Sequence, residues 1–289
     1  MSDATRAPRP EDVPPIEQWD RLLDGRVAIV TGGGAGIGEA IVELFADHGA
    51  LVELVDIDPA LADRSRQHVV DRGGRAGAHV ADVRDHAQVG PVVDRVLEQH
   101  GRVDILVNNV GDYRPAVAFE ASGPDDWREM HDVNFGHMLS MTRAVIPSMI
   151  ERQHGAIVNV HSVEGLRGFP NEPVYGAMKA AAAHFTTSLA VGVGRHGIRV
   201  NGLGPDLTQT PQVDYLSRAE GFHHLWGTWA PVGRMGWPQD QARVALFLAS
   251  DLSAFVTGHN IPVDGGTRAG GGWYWSATDQ RFVNRPHLA

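Results

Sequence analysis

The 289-residue sequence predicts a single doubly wound α/β domain of the Rossmann type, with about seven parallel strands and helices on both faces of the sheet. From Arg26 to about residue 266, short apolar runs alternate with amphipathic stretches of helix length, and no linker divides them. The apolar runs are nearly continuous rather than alternating, which is typical of strands buried on both faces.

The elements follow one another in a regular order. Apolar runs predict strands at Val27–Val30, Leu51–Ile57, Ala78–Ala81, Val103–Val107, Ala156–Val160, Ile198–Gly202 and His259–Val263. Amphipathic stretches predict helices at Ile37–His48, from about Pro59, and at Ala87–His100, Asp125–Arg152, Val174–Gly194 and Gln239–Leu248. Repeated strand–helix units of this kind imply a parallel sheet, and together they define a domain over residues 24–266.

Three further segments do not follow this rhythm. Residues 1–23 carry prolines and charges without an apolar stretch, so we expect a flexible arm and no secretory signal. Residues 205–237 and 267–289 contain several tryptophans but no clean periodicity. We expect the first to cover a bound substrate and the second to contact the active site or a neighbouring subunit.

The composition excludes several classes of protein. A net charge of −10 argues against a nucleic-acid partner, which requires a basic face. Without cysteine, the chain has no disulfide, thiolate metal site or cysteine nucleophile. No apolar run is long enough to span a bilayer, so we expect a cytoplasmic protein. His223 and His224 are adjacent and have no companion at ligand spacing, so we expect no metal.

A glycine-rich loop joins the first predicted strand to the first helix. It reads Thr31-Gly32-Gly33-Gly34-Ala35-Gly36-Ile37-Gly38. The glycines let the backbone turn sharply and approach a pyrophosphate, which the N–H groups at the helix N-terminus can bind. Such a loop can also be an ordinary tight turn, but its position between a strand and a helix favours dinucleotide binding.

Asp56 lies at the end of the second predicted strand, eighteen residues after Gly38. Its carboxylate can accept hydrogen bonds from the ribose hydroxyls of adenosine, and it would repel a 2′-phosphate. No Arg or Lys stands in the glycine loop or directly after Asp56. We therefore expect NAD rather than NADP. Asp56 could instead cap the helix that begins near Pro59, although Asp58 is better placed for that role.

On these motifs the chain resembles the short-chain dehydrogenase/reductase family, in its single-domain branch, from roughly Gly25 to Gly266. Four residues match that family's Thr-Gly-x-x-x-Gly-x-Gly loop: Thr31, Gly32, Gly36 and Gly38. The stretch Asn108–Gly111 resembles the family's Asn-Asn-Ala-Gly, with Val110 the one change. The resemblance implies further cofactor contacts from Asp82, Val83, Asn109, Gly111, Pro205, Leu207 and Thr208.

Tyr175 and Lys179 lie on one face of the predicted helix Val174–Gly194, because they are four residues apart. A nearby ammonium lowers the pKa of a phenol from its usual value near 10. The pair alone is common by chance. Ser162, thirteen residues before Tyr175, and Asn134 match the family's other catalytic positions, so the resemblance implies a catalytic set of all four residues.

The resemblance implies an NAD(H)-dependent interconversion of a secondary alcohol and a ketone. Tyr175 would exchange a proton with the substrate oxygen while hydride moves to or from nicotinamide, and Ser162 would donate a hydrogen bond to that oxygen. Lys179 would hold the nicotinamide ribose, and Asn134 would hold a water that links Lys179 to solvent. Similar enzymes are commonly homotetramers, so we expect that assembly.

The substrate end departs from the family. Asp206 replaces the usual glycine after Pro205, and its carboxylate either points outward or favours NAD⁺ electrostatically. Candidate substrate contacts, each of which could equally be a packing residue, are Tyr113, Glu164, Phe169, His223, Trp226 and Trp229. With Trp273–Trp275 they indicate an aromatic-walled pocket for a bulky or cyclic alcohol or ketone.

Two other functions compete with this hypothesis. One is an NAD-binding sensor or scaffold without turnover. The complete set of Ser162, Tyr175 and Lys179 argues against it. The other is an enoyl reductase, a relative that usually separates Tyr and Lys by more than four residues.

Overall fold

Seven parallel strands form the central sheet of the computed structural model. They are β1 (Val27–Thr31), β2 (Leu51–Asp56), β3 (Arg75–Val80), β4 (Ile105–Asn108), β5 (Gly155–Val160), β6 (Ile198–Pro205) and β7 (Asn260–Val263), in the spatial order β3-β2-β1-β4-β5-β6-β7. The structure describes residue 16 and residues 18–114, 116–170, 172–218 and 223–283. The predicted fold class is confirmed, and the strand order reverses between β1 and β4, where doubly wound sheets bind their ligands.

The helices cover both faces of this sheet. They are α1 (Gly36–Asp47), α2 (Pro59–Asp71), α3 (His86–His100), α4 (Pro124–His131), α5 (His137–Arg152), α6 (Pro173–Val193), α7 (Tyr215–Arg218), α8 (His223–Trp229), α9 (Pro238–Ala249) and α10 (Thr267–Gly270). One core cluster contains Phe45 of α1 and Leu246 of α9. The other contains Val96 of α3 and Met141 of α5. The buried faces of the helices therefore seal the two sides of the sheet.

Local signals in the sequence set the start of α2. The Asp58 side chain accepts hydrogen bonds from Ala60 N at 2.8 Å and Leu61 N at 3.2 Å, and Pro59 occupies the first turn. Asp58 is therefore the cap, as the sequence favours, and the Asp56 carboxylate is not used for that purpose.

The sequence predicts one continuous helix over Asp125–Arg152, and this prediction is wrong in the middle of the segment. Residues Asp132–Gly136 form a π-helical turn between α4 and α5. Within it, Asn134 Nδ2 donates to Met130 O at 3.1 Å and to Asp112 O at 2.7 Å. The side chain thus competes with the regular helical hydrogen bonds, and π-turns of this kind are frequent at functional sites.

The sequence also predicts β3 wrongly, as a strand over Ala78–Ala81 buried on both faces. The strand begins at Arg75, and Val80 is 59% exposed. Because β3 is one of the two edge strands of the sheet, it is partly open to solvent and its residues are not uniformly apolar. At the other strands, differences are limited to a few residues at each end.

The C-terminal segment forms an addition to the sheet domain. β8 (Tyr274–Ser276) and β9 (Arg281–Val283) make an antiparallel hairpin, with the rings of Trp275 and Phe282 5.4 Å apart. Strand β8 packs against α8. Within the described residues, no helix has both the length and the apolar character needed to cross a membrane.

Candidate active site

A cleft of about 1120 Å³ opens at the carboxyl ends of the central strands. On the β2 side it is lined by Asp56, Asp82 and Val83, and on the β5 and β6 side it is lined by Tyr175 and Pro205. Almost every predicted site residue therefore lies on the wall of a single cavity, at the point where the order of the parallel strands reverses.

The glycine loop is shaped by close backbone contacts. Gly32 and Gly36 have φ values of 63° and 58°, which favour glycine. A Cβ on Gly38 would lie 1.9 Å from Gly32 O, so no side chain fits there. Ala35 precedes α1 without a side-chain cap, which leaves the first N–H groups of the helix free at the cleft. This cradle fits a pyrophosphate.

Asp56 closes the loop on the β2 side. Its Oδ2 accepts from Gly34 N at 2.9 Å, and its Oδ1 accepts from Asp58 N at 3.0 Å. Sequence reasoning missed Arg64, which donates to Gly34 O at 2.9 Å and pairs with Glu39 at 3.0 Å. Arg64 reaches the loop from α2, a contact that spacing along the chain cannot reveal.

Asp82 and Val83 lie where β3 ends. The Asp82 side chain pairs with Arg84 at 2.7 Å, and this arginine also lines the cleft. That hydrogen bond to Arg84 is the main reason why the pKa of Asp82 is lowered. The region offers a carboxylate, a guanidinium and an apolar surface to an adenine.

Asn109 joins the ends of β1 and β4. Its backbone N–H donates to Thr31 Oγ1 at 3.0 Å, and its Nδ2 donates to Thr31 O at 3.0 Å. Gly111 follows at a point of close approach: a Cβ there would lie 2.6 Å from Lys179 Nζ and 3.1 Å from Asn134 Oδ1. The absence of a side chain at Gly111 is therefore what allows Lys179 and Asn134 to pack under this loop.

The structure brings Ser162, Tyr175 and Lys179 together. The Ser162 hydroxyl donates to Pro205 O at 3.4 Å and lies close enough to Tyr175 to affect its pKa, and Lys179 Nζ lies 5.6 Å from the centre of the Tyr175 ring. Lys179 Nζ also donates to Val160 O at 3.4 Å. Ser162 follows β5 directly, and Tyr175 and Lys179 lie on successive turns of α6, so two elements converge on one point.

Burial has the largest effect on the pKa values of Tyr175 and Lys179. Although the Tyr175 side chain lines the cleft, burial raises the pKa of its hydroxyl and outweighs the opposite effect of the nearby Ser162 hydroxyl. The sequence-based expectation that Lys179, together with the nicotinamide, lowers the pKa of Tyr175 stays a prediction, and the effect of burial opposes it. Burial also lowers the pKa of Lys179 to about 8, an effect that the negative charge of Asp112 opposes.

Asn134 is fully buried and anchors the loop after β4. In addition to the two bonds that its Nδ2 donates, its Oδ1 accepts from Asp112 N at 3.2 Å. The side chain thus fixes the loop beside Lys179. Its expected role in holding a water stays a prediction.

Two buried histidines beside the catalytic set were missed. His137 is fully buried in α5 next to Lys179, and neither ring nitrogen makes a well-formed hydrogen bond, with only a weak contact to the Val110 backbone. Burial lowers the pKa of His137 to about 3 and that of His161 to about 4. His161 Nδ1 contacts Ser162 O at 2.9 Å. Both imidazoles are neutral, and no short-range sequence pattern marks them.

Aromatic rings surround Tyr175 on the substrate side. Tyr113 and Phe169 meet its ring edge-on, with centroids 6.1 Å and 5.9 Å away. Tyr215, which sequence reasoning missed, packs at 5.1 Å against Trp226. All of these residues line the cleft.

Other candidate residues do not reach the cleft. Trp229 is 55% exposed and is not among the described residues that line it. The described residues that line the cleft include none of Trp273, Tyr274 and Trp275, so the structure does not place them in a wall of the pocket as expected. The side chains of His223 and His224 lie outside the described part of the structure.

Asp206 does not point outward, which corrects one of the two expectations for it. Its Oδ2 accepts from Arg167 at 2.9 Å and from Thr267 Oγ1 at 2.5 Å, and its Oδ1 accepts from Leu207 N at 2.8 Å. Arg167 also binds Glu164, with Nη2–Oε1 at 2.7 Å. Sequence reasoning missed Arg167, because its two acidic partners are 42 positions apart.

The segment after β6 is more constrained than the family resemblance implies. Leu207 has φ 42°, and its N–H and C=O are both already bonded, to Asp206 and to Gly236 N. Leu207 lines the cleft, and its expected backbone contact with a carboxamide stays a prediction. Thr208 Oγ1 donates to Asp206 O at 2.9 Å and accepts from Gln241.

Among the described residues, one group could hold a metal ion. It consists of Glu39 and Glu43 of α1 and His68 of α2. The group lies on the surface outside the cleft, and Arg64 and Arg72 already pair with its two glutamates at 3.0 Å and 3.5 Å. It has no contact with the catalytic set.

The switch-point cleft, its glycine cradle and its convergent hydroxyl and ammonium groups define the class of dinucleotide-dependent oxidoreductases. A family model described as enoyl-(acyl carrier protein) reductase matches residues 32–268. The chain belongs to the short-chain dehydrogenase/reductase family, whose members depend on a nicotinamide cofactor.

The chain matches individual relatives over nearly their whole length. The chain is 37% identical over 246 residues to a 3-oxoacyl-[acyl-carrier-protein] reductase, FabG, of Chlamydia muridarum, covering 85% of this chain and 98% of the relative. It is 39% identical over 253 residues to the oxidoreductase UcpA of Escherichia coli K12, and the match covers 85% of this chain and 95% of the relative.

Solved structures agree with this assignment. A levodione reductase superposes with a TM-score of 0.81 at 31% identity, covering 86% of this chain and 99% of that chain. A short-chain type dehydrogenase/reductase from Mycobacterium ulcerans superposes with a TM-score of 0.81 at 27% identity, covering 86% and 91%.

Proposed function

We propose that the protein is an NAD(H)-dependent oxidoreductase that interconverts a secondary alcohol and a ketone. The observation that carries the proposal is the convergence of Ser162, Tyr175 and Lys179 on the wall of the cleft that the glycine loop enters. Two relatives, the 3-oxoacyl reductase and the levodione reductase, are named as reductases of carbonyl compounds. The spacing of Tyr175 and Lys179 again argues against an enoyl reductase.

Successive parts of the cofactor would be held by different groups of residues. The glycine cradle, with the N–H groups of Gly36 and Ile37, would bind the pyrophosphate, and Asp56 would accept the adenosine ribose hydroxyls. The adenine would lie against Asp82 and Val83, and the nicotinamide half against the set Asn109, Gly111, Tyr175, Lys179, Pro205 and Thr208. When bound, the nicotinamide supplies or accepts the hydride.

Side chains of the protein donate the proton and stabilise the charge that forms. In reduction, Tyr175 donates its phenolic proton to the carbonyl oxygen, and the raised pKa of its buried hydroxyl keeps that proton in place beforehand. Ser162 stabilises the developing negative charge by donating to the same oxygen. The Lys179 ammonium lies close enough to the Tyr175 ring to stabilise the phenolate that forms. Oxidation uses the same groups in reverse.

The shape of the substrate end supports a bulky or cyclic substrate. Tyr113, Phe169 and Trp226 line the cleft there, as the sequence predicts. Large, rigid rings provide apolar contact area for a substrate of matching size. Activity confined to small polyols or sugars would contradict this part of the proposal.

A panel of secondary alcohols, assayed with NAD⁺ and NADP⁺ side by side, tests the proposal. Tyr175→Phe should lower kcat by at least about a hundredfold and leave NAD binding unchanged. Tyr274→Phe, in the hairpin, is the matched control and should retain full activity. Retained activity in Tyr175→Phe would refute the mechanism, and tight NAD binding without any turnover would favour the sensor or scaffold instead.

We further propose a cytoplasmic homotetramer joined through α5 and α6. The second helix carries a run of small residues, Ala180–Ala183, which permits close helix approach. Val191 near its end is 82% exposed in the single chain, as is expected of a residue that a neighbouring subunit covers. Light scattering tests the assembly, and a clean monomer would contradict it.

A further inference from the structure

Two carboxylates share one guanidinium on the substrate side of the cleft. Glu164 and Asp206 both line the cleft, and Arg167 bridges them at 2.7 Å and 2.9 Å. The Glu164 and Asp206 side chains are only 14% and 13% exposed. The three side chains together carry one uncompensated negative charge on the wall of the cleft.

The other charged groups nearby do not remove this imbalance. Asp112 is paired with Arg114 at 3.0 Å, so that pair is neutral as a unit. Lys179 also lines the cleft, but the carboxylate whose charge acts on the pKa of its ammonium is Asp112. The uncompensated charge therefore remains on the wall formed by the segments after β5 and β6.

Aromatic rings share this wall with the negative charge. Tyr215 lies close enough to Asp206 and Glu164 for their charges to raise the pKa of its hydroxyl, after the larger effect of burial. Its ring packs against Trp226, and Phe169 flanks Tyr175. Aromatic faces attract cations, and a nearby carboxylate strengthens that attraction.

An entirely apolar substrate is a poor match for such a wall. It would displace water from Glu164 and Asp206 without giving their remaining lone pairs or net charge a partner, which is unfavourable. A cationic group would compensate the charge and lie against the rings. The structure therefore favours a substrate that is apolar in bulk but positively charged at one point.

We propose that the natural substrate carries a positively charged nitrogen, a protonated or quaternary amine, close to its alcohol or carbonyl carbon. This inference rests on the proposed function, because it assigns the substrate class of the same site. Glu164 and Asp206 hold the cation, and Arg167 fixes their positions. The other cation that could meet this charge is the nicotinamide ring of NAD⁺, and the experiment separates the two.

Binding of three matched ketones tests the inference. The cationic probe is (2-oxo-2-phenylethyl)trimethylammonium, its uncharged isostere is 3,3-dimethyl-1-phenylbutan-1-one, and the anionic probe is 4-oxo-4-phenylbutanoate. Calorimetric titration of the Tyr175→Phe variant saturated with NADH measures binding without turnover. We expect the cation to bind about tenfold tighter than the isostere, and the anion to bind weakest.

Variants locate the source of the preference. Glu164→Gln and Asp206→Asn, each on the Tyr175→Phe background, should reduce the cation-to-isostere ratio to about one. Asp63→Asn, which removes an exposed carboxylate of α2, should leave the ratio unchanged. If one variant fails to fold, the other still decides the outcome.

Several results would overturn the inference. They are equal or tighter binding of the uncharged or anionic ketone, no binding of the cation, and a preference that survives both substitutions. An Asp206→Asn variant that changes the ratio of NAD⁺ to NADH affinity but not ketone selectivity would assign the charge to the cofactor. Selective binding without reduction by the wild-type enzyme would count against the proposed function alone, whereas reduction without cation preference would count against this inference alone.

Discussion

The buried imidazole of His137 should make the protein lose stability in mild acid. Its pKa is lowered from 6.5 to about 3, mainly by burial and also by the charge of Lys179. Below about pH 6.5 the unfolded chain takes up a proton that the folded chain cannot accept, so protonation favours unfolding. The stabilising effect of keeping His137 neutral is complete above pH 6.5 and is lost as the pH falls toward 3.

The size of the effect follows from the shift. Each pH unit below the unfolded pKa costs about 1.4 kcal/mol for one such group, so His137 should contribute a loss of about 2 kcal/mol between about pH 7.5 and pH 5. His161, whose pKa is lowered to about 4, should add a similar loss. For a domain stabilised by roughly 5–15 kcal/mol, such a decrease is easily measured.

Urea unfolding of wild type and His137→Phe at these two pH values is the assay. The substitution itself will change stability, but only the difference between the two pH values within each protein is compared. The variant should lose about 2 kcal/mol less than wild type on acidification. His184→Gln, at an exposed position of α6, is the control and should behave like wild type. Equal losses in wild type and His137→Phe would refute the argument.

Three further predictions concern the cofactor and the catalytic lysine. Gly111→Ala should lower kcat at least about tenfold, because the new Cβ would lie 2.6 Å from Lys179 Nζ. The control Gly90→Ala has open space around it and should leave kcat unchanged. Asp56→Ser should raise the ratio of kcat/KM with NADP⁺ to kcat/KM with NAD⁺ by about tenfold or more. The control Asp58→Ser should leave this ratio unchanged. An unchanged ratio in Asp56→Ser would contradict the role of Asp56. A kcat–pH profile for ketone reduction should fall above about pH 8 as Lys179 loses its proton, and a flat profile to pH 10 would show that its charge is not required.

Much of the fold was predictable because its signals are local. Most strands of the sheet are apolar runs, and most long helices show their own period, so the order of elements predicts a parallel sheet. The glycine loop and the four-residue step from Tyr175 to Lys179 are also local patterns. Ser162 and Asn134 became recognisable only through the family resemblance.

The remaining features depend on contacts between distant segments. The π-turn at Asn134 arises because its side chain bonds the backbone of Asp112, 22 positions earlier. The Glu164–Arg167–Asp206 cluster likewise joins two loops that meet only in the folded sheet. The raised pKa of Tyr175 reflects burial, which a sequence does not reveal.

The hairpin behind α8 has a consequence for how the substrate end works. The family match ends at residue 268, and the hairpin follows it, packed against the helix that carries Trp226. In many enzymes a cover of this kind becomes ordered only when substrate arrives, and the lost conformational freedom weakens binding. Here the helix that carries Trp226 packs against a strand of the same chain, β8 of the hairpin. Packing of this kind favours a preorganised binding cavity over an adaptable one, and a preorganised cavity favours a narrow range of substrates.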